Sequence, residues 1–248
     1  MRGTVGVLFV LLLLAAPVAS ARSDAAKRAQ LTVYAAASLT NAFPAIDRNE
    51  KYSFGGSNAL AAQIEQGAPA DVFASANMTL STKLFQEGDC SKPVAFTRNR
   101  LVIVVPSSNL AHIHNIYNLT NQGVKIVIAA QGVPVGTYTQ QILKNMNLTA
   151  AIMKNVVSQE TDVREVLAKV ALDEADAGFV YSTDAKTVPH KIDVIKIPAW
   201  AQPKVQYGIC VVSSSSHKPD AKAFVKRVLS KTGQRKLHRF GFLPRVKK

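Results

Sequence analysis

Short apolar runs rich in β-branched residues alternate with segments of helical spacing along the whole chain. In the first unit, an apolar run at residues 31–36 is followed by apolar residues at helical spacing: Leu39, Ala42, Phe43 and Ile46. The predicted strands lie at residues 31–36, 52–54, 72–74, 101–105, 125–130, 156–157, 178–181 and 205–212. The predicted helices lie at residues 39–46, 58–66, 78–87, 138–146, 162–172, 220–229 and 233–240. Because strands that alternate with helices form sheets covered by helices, the sequence predicts an α/β fold with parallel sheets.

Two extended runs, residues 101–105 and 205–212, divide this pattern into two groups of strands and helices. We expect the chain to cross between two α/β lobes at these runs, which would form a two-segment hinge. The predicted first lobe is residues 31–103 plus 209–248, and the predicted second lobe is residues 104–208. Ligands of open α/β sheets bind beyond the carboxyl ends of the strands, so we expect a ligand in the interlobe cleft.

The first 21 residues have the pattern of a signal peptide. Arg2 precedes an apolar run at residues 5–16, and Ala19-Ser20-Ala21 has the small-x-small form that signal peptidase cuts. The run is shorter than the roughly 20 residues that span a bilayer. We therefore expect cleavage after Ala21 and export to the periplasm or the extracytoplasmic face of the cell membrane.

Composition excludes several classes of protein. The chain has 248 residues, of which 48% are hydrophobic and 19% charged, so it is not a disordered polymer. Two cysteines are too few for a cysteine-rich scaffold or a four-thiolate zinc site. Export would place Cys90 and Cys210 in an oxidising compartment, where they form either one disulfide or two buried thiols; the sequence leaves both states open.

Three predicted strand-to-helix turns carry small residues and hydroxyl groups. Ser38 follows three alanines, Ser57 follows Gly55-Gly56, and the third turn is residues 133–138. Free N–H groups and partial positive charge at helix N-termini favour a negative ligand, so the three turns indicate an anion site that needs no Lys or Arg. Each turn alone also fits a purely structural role, with Ser38 capping its own helix and the glycines making a tight turn.

Three further polar residues lie at the ends of predicted elements. Asp71 begins a strand and Asp162 begins a helix, and we interpret both as caps or as partners of a helix dipole. Tyr181 closes the strand at residues 178–181. Its hydroxyl would either donate to a ligand or satisfy a contact in the core, and the residues alone favour neither role.

Six segments together resemble the periplasmic molybdate-binding protein (ModA) family of ABC transporters, and the match spans the mature chain. They are residues 31–42 (LTVYAAASLTNA), 57–71 (SNALAAQIEQGAPAD), 133–138 (VPVGTY), 162–164 (DVR), 178–184 (GFVYSTD) and 239–242 (RFGF). The resemblance implies a type II periplasmic-binding-protein fold that closes over molybdate or tungstate and delivers it to a membrane permease. It also implies no enzymatic step and no cofactor, since molybdenum is held as an oxyanion and not coordinated by the protein as a metal.

The resemblance further implies which residues hold the anion. Its neutral donors match Ser38, Ser57, Val135, Val163 and Tyr181. The two serines and the tyrosine would contribute hydroxyl groups, and the two valines would contribute backbone N–H groups. Gly55-Gly56 and Asn58 stand where the family often has more serine or small residues, so we expect the donor set of the second turn to differ.

Three other functions would suit some of the same features. The same donors would suit another tetrahedral oxyanion such as sulfate. An exported phosphate or sulfate ester hydrolase would also need an oxyanion pocket, but the sequence has no GxSxG elbow or P-loop, and its five histidines are scattered. The net charge of +14 suggests nucleic-acid binding, but the basic residues are dispersed and lack interleaved aromatic residues. We therefore expect no binding of nucleic acid, and we take a monomer as the default oligomeric state.

Overall fold

A computed structural model describes residues 28–246 and Gly3, so the predicted signal peptide, apart from Gly3, lies outside the described residues. The strands are β1 (Thr32–Ala36), β2 (Lys51–Gly55), β3 (Val72–Ser75), β4 (Val94–Asn99), β5 (Leu101–Pro106), β6 (Ile126–Ala129), β7 (Val156–Glu160), β8 (Ala177–Tyr181), β9 (Ile192–Lys196) and β10 (Val205–Val211). The helices are α1 (Ala42–Ile46), α2 (Ser57–Glu65), α3 (Met78–Gln86), α4 (Pro134–Asn145), α5 (Thr149–Met153), α6 (Val163–Ala171), α7 (Ser182–Ala185), α8 (Lys218–Leu229) and α9 (Lys231–Arg239). In the described part of the chain, none of these helices combines the length and the apolarity needed to cross a membrane.

The strands form two five-stranded sheets, in the orders β2-β1-β3-β10-β4 and β7-β6-β8-β5-β9. In the first sheet β1 runs parallel to β2 and β3, and in the second β6 runs parallel to β7 and β8. The predicted α/β fold with two lobes is confirmed.

The prediction of parallel sheets holds for these strands only, because each sheet is mixed and contains one reversed strand. β10 pairs antiparallel with β3 and β4, and β5 pairs antiparallel with β8 and β9. These are the two strands that follow a crossing between the lobes. A strand that arrives directly from the other lobe enters its sheet from the cleft side, so it runs against its neighbours.

The sequence pattern missed two strands, β4 and β9. Residues 94–99 read VAFTRN and residues 192–196 read IDVIK, and both segments mix apolar with polar side chains. Each strand lies at the edge of its sheet and keeps part of its surface exposed, so neither needs the continuous apolar run by which the central strands were recognised.

Strand pairing also shifts the lobe boundaries. β5 pairs only in the second sheet and β10 only in the first, so the predicted boundaries 103/104 and 208/209 cut through these strands. The chain leaves the first sheet after Asn99 and re-enters it at Val205. We propose lobes of residues 28–99 plus 205–246 and of residues 100–204.

Cys90 and Cys210 form a disulfide within the first lobe. Their Cα atoms are 6.0 Å apart, and the bond joins the segment after α3 to β10 across 120 residues of sequence. Both cysteines lie in a small buried cluster with Leu60, Phe73 and Leu84. The disulfide therefore links β10, which enters the first lobe after the second crossing, to the N-terminal part of the same lobe.

Replacing both cysteines, Cys90→Ala with Cys210→Ala, should lower the free energy of unfolding by about 2–4 kcal/mol, because a bond that closes a long loop restricts the unfolded chain. Urea denaturation with and without dithiothreitol measures this. Reductant should destabilise the wild type and leave the double variant unchanged. Equal midpoints for the two proteins under oxidising conditions would contradict the prediction.

Candidate functional site

The carboxyl ends of six strands, three from each sheet, meet at one cavity between the lobes. The first lobe contributes residues 36–38 at the end of β1, 55–57 at the end of β2, and Ala76 after β3. The second lobe contributes residues 133–135 after β6, Asp162 and Val163 after β7, and Tyr181 at the end of β8. The cavity has a volume of about 210 Å³ including its open mouth.

Helix N-termini from both lobes point free N–H groups at this cavity. Helices α2, α4 and α6 all begin among the lining residues, and a 3-10 turn at Ala37–Leu39 begins there too. The first N–H groups of a helix have no partner within it. Pro134 is the first residue of α4 and has no N–H, so Val135 provides the first free N–H of that helix.

Asp162 leaves one free N–H at the start of α6. Its carboxylate accepts from the N–H groups of Arg164 and Glu165, at 2.6 and 3.2 Å. The predicted capping role of Asp162 is thereby confirmed. Because the cap occupies the next two N–H groups, the N–H of Val163 is the one in this turn that remains for a ligand.

The two predicted serines present their hydroxyl groups differently. The Ser57 Oγ accepts from the Ala76 N–H at 3.0 Å, so its own proton remains for a second partner. The Ser38 Oγ lies 2.8 Å from the Tyr207 hydroxyl and caps neither its 3-10 turn nor α1. The structural reading of Ser38 as a helix cap is therefore wrong. Both serines are buried, with 4% of Ser38 and 1% of Ser57 exposed.

Tyr181 is 1% exposed, and its hydroxyl has no hydrogen-bond partner among the described residues. A buried hydroxyl without a partner is costly, so an oxygen that enters the cavity would relieve it. Burial raises the pKa of Tyr181 and of the neighbouring Tyr207 well above the ordinary value for tyrosine. Both hydroxyls therefore keep their protons at neutral pH and can act as donors.

Arg164 connects the two lobes beside the cavity without lining it. Its Nε lies 3.1 Å from the Asp184 Oδ1, and its Nη2 donates to the Asn41 Oδ1 of the first lobe at 3.4 Å. Burial raises the pKa of Asp184 to about 7, although the positive charge of Arg164 opposes this shift. Among the residues that line the cavity in the described chain, Asp162 and Tyr181 are the only ionisable ones.

All five residues predicted to bind an anion line this one cavity: Ser38, Ser57, Val135, Val163 and Tyr181. Their roles as ligands stay predictions. Asp71, in contrast, lies away from the cavity, where it accepts from the Thr32 N–H at 2.8 Å and the Ser215 hydroxyl at 2.6 Å and so joins the start of β1 to the segment before α8. It caps no helix, which corrects that part of its interpretation.

Sequence reasoning missed Ala76, Asn99 and Tyr207. Ala76 supplies the N–H that orients Ser57, and Asn99 and Tyr207 contact each other behind Ser38. Tyr207 is 169 residues from Ser38 in sequence, and no pattern along the chain connects residues that far apart. For Tyr207, the one available signal was a hydroxyl-bearing side chain within a mostly apolar strand.

Comparison with known proteins agrees with the two-lobed geometry. Residues 31–243 match the family model of bacterial extracellular solute-binding proteins. The molybdate-binding protein ModA of Mycobacterium tuberculosis is 36% identical over 222 residues, which cover 86% of this chain and 84% of that protein.

Two solved structures have the same architecture. The substrate-binding domain ascribed to a molybdenum ABC transporter of Clostridium difficile is 31% identical, with a TM-score of 0.63 over 88% of this chain and 99% of that one. The periplasmic molybdate-binding protein of Azotobacter vinelandii is 20% identical, with a TM-score of 0.76 over 88% of this chain and 100% of that one, and it supports the fold alone. The chain therefore belongs to the bacterial extracellular solute-binding protein family and has the type II periplasmic-binding-protein fold.

Proposed function

We propose that this protein captures molybdate, and also tungstate, in the interlobe cavity and delivers the anion to the permease of an ABC transporter. One observation carries the proposal: the described cavity lining offers hydroxyl and N–H donors and contains no cationic side chain. Its one carboxylate, Asp162, is occupied by N–H groups of its own helix. A dianion is then held by donors from Ser38, Ser57, Val135, Val163 and Tyr181.

A site of donors alone selects for the charge state of its ligand. A fully ionised tetrahedral oxyanion accepts from every donor around it, whereas a singly protonated phosphate also needs an acceptor. The relative from Mycobacterium tuberculosis, which bears the name molybdate-binding protein, supports molybdate as the anion. Sulfate is the alternative, because it is also tetrahedral and fully ionised at neutral pH.

The rest of the proposal concerns where and with whom the protein acts. Its family is extracellular, and we propose that residues 1–21 direct export and are then removed. The protein performs no chemical step and holds no cofactor, since the oxyanion is its cargo. It works as a monomer that binds no nucleic acid and docks on a membrane permease.

Isothermal titration calorimetry with molybdate, tungstate, sulfate and phosphate tests the proposal. Tight binding of the first two anions and weak binding of the others is the expected result. If sulfate binds most tightly, the proposed anion site would stand but the transported anion would be sulfate. Absence of binding for all four anions would overturn the proposal, and hydrolysis of phosphate or sulfate esters would then be assayed.

Removing either serine hydroxyl should weaken molybdate binding by about 10- to 100-fold, since each hydroxyl donates to a charged group. Ser57→Ala should also lower the melting temperature, because the buried Ala76 N–H loses its acceptor. Val135→Ala is the control, because that residue contributes its backbone N–H and keeps it. Calorimetry on the three variants tests this, and unchanged affinity in both serine variants would refute the site.

Closure of the lobes depends on Gly56, which lies where they touch. A Cβ atom on Gly56 would lie 2.3 Å from the carbonyl oxygen of Thr161 in the second lobe. A Cβ atom on the neighbouring Gly55 would meet only the Leu60 side chain, at 3.9 Å. The backbone of the second lobe can therefore approach the cavity this closely only if residue 56 has no side chain.

Gly56→Ala should therefore hold the lobes apart and weaken molybdate binding by about 10-fold or more, because donors of the second lobe no longer reach an anion held by the first. Gly55→Ala is the matched control and should bind almost normally. Titration calorimetry and small-angle X-ray scattering with saturating molybdate measure affinity and closure. Equal affinity and equal compaction of the two variants would contradict this account.

A further inference from the structure

The strand β10 places a buried tyrosine directly behind Ser38. Tyr207 is fully buried, and its ring packs edge-on against Phe96 and Phe242. Its hydroxyl lies 2.8 Å from the Ser38 Oγ and 3.2 Å from the Asn99 Nδ2. The Tyr207 hydroxyl therefore sits between Asn99 and a serine that faces the cavity, without lining the cavity itself.

The amide of Asn99 has one orientation that satisfies its neighbours. Its Oδ1 accepts from the Arg100 N–H at 3.0 Å and from the Ser182 hydroxyl at 3.2 Å. A backbone N–H can only donate, so the oxygen of the amide must face Arg100. The Nδ2 then faces the other side, where it donates to the Thr183 Oγ1 at 2.9 Å and to Tyr207.

This orientation sets the direction of the next two hydrogen bonds. Because Asn99 donates to the Tyr207 oxygen, the Tyr207 hydroxyl can give its own proton to the Ser38 Oγ, 2.8 Å away, although this contact alone permits either direction. Ser38 then accepts from Tyr207, and its own proton is left to point into the cavity. A chain of hydrogen bonds that all point the same way also polarises its last donor.

We propose that Asn99 and Tyr207 are positioning residues that hold the Ser38 hydroxyl as a donor toward the bound oxyanion. The inference rests on the proposed function, since it assigns a task to residues behind the same anion site. In this proposal Ser38 touches the anion, whereas Asn99 and Tyr207 determine the direction in which the Ser38 hydroxyl donates its proton.

The same hydrogen bonds pass from one lobe to the other. Asn99 is the last residue of β4, immediately before the chain crosses to the second lobe. Its partners Ser182 and Thr183 belong to α7 of the second lobe, whereas Tyr207 and Ser38 belong to the first. The orientation of the Ser38 proton therefore depends on the position of α7 relative to Asn99, at the point where the chain first crosses between the lobes.

A double-mutant cycle on the full protein tests this inference with molybdate as the probe. Tyr207→Phe keeps the buried ring and removes the hydroxyl, and it should weaken binding by about 3- to 10-fold, the value of one neutral hydrogen bond. In the Ser38→Ala background the same change should have almost no effect, because the hydroxyl that Tyr207 orients is gone. A role in packing alone would cost the same factor in both backgrounds.

Tyr52→Phe is the matched control. The Tyr52 hydroxyl donates to the carbonyl oxygens of Phe43 and Asp47 in the same lobe, away from the cavity. This variant should lower the melting temperature and leave the affinity for molybdate unchanged. Comparable melting temperatures with different affinities for the two tyrosine variants would therefore locate the effect at the site.

Asn99→Asp provides a second cycle if Tyr207→Phe does not fold. A carboxylate oxygen in place of the Nδ2 would accept from Tyr207, so Ser38 would have to donate to Tyr207 and not to the anion. Repulsion by the new charge acts in both backgrounds, but the loss caused by reorientation should disappear with Ser38→Ala. Equal factors in the two backgrounds would overturn the inference.

The outcomes distinguish this inference from the function on which it rests. Normal binding by Tyr207→Phe, with binding weakened by Ser38→Ala, would overturn the positioning role and leave molybdate capture intact. Losses that multiply in the double variant would also overturn the positioning role. A wild-type protein that binds no oxyanion would overturn both.

Discussion

The site depends on one constraint: backbone N–H groups at the starts of helices have no hydrogen-bond partner within their own helix and need an acceptor from elsewhere. Three helices and a 3-10 turn begin at one cavity, and their first N–H groups have no partner within their own elements. Water can satisfy such groups while the cleft is open. Once the lobes close, a small acceptor of negative charge must replace the water, so the arrangement of strands and helices itself defines the chemistry of the ligand.

Two hydroxyl groups around the cavity, like the N–H groups, have protons that no group of the protein accepts among the described residues. Ser57 accepts from a backbone N–H, and the Tyr181 hydroxyl has no partner in the described protein, so both can donate to a ligand. The positive charge of Arg164 is kept beside the cavity, next to the buried Asp184, where it contacts both lobes. The charge of Arg164 thus links the two lobes, and the donors that line the cavity itself are neutral.

Prediction from the sequence succeeded where a local pattern corresponds to a local structure. The central strands, most helices and the strand-to-helix turns with Ser38 and Ser57 follow from periodicity and turn residues, and the resemblance to a known family added Val135, Val163 and Tyr181. It failed for the edge strands β4 and β9, whose half-exposed faces carry no clear period. It also failed for the reversed strands, because the direction of a strand depends on the lobe from which the chain arrives.

A few neighbouring residues are enough to specify an α/β protein whose strand ends carry hydroxyls, glycines and free N–H groups, because each of these features is local. Which of those groups meet depends on how the chain packs in three dimensions. This packing pairs Cys90 with Cys210, brings Gly56 against Thr161 and sets Tyr207 behind Ser38. Such contacts join residues about 100 or more positions apart in the chain, and only the packing of two lobes through a double crossing fixes the distances between them.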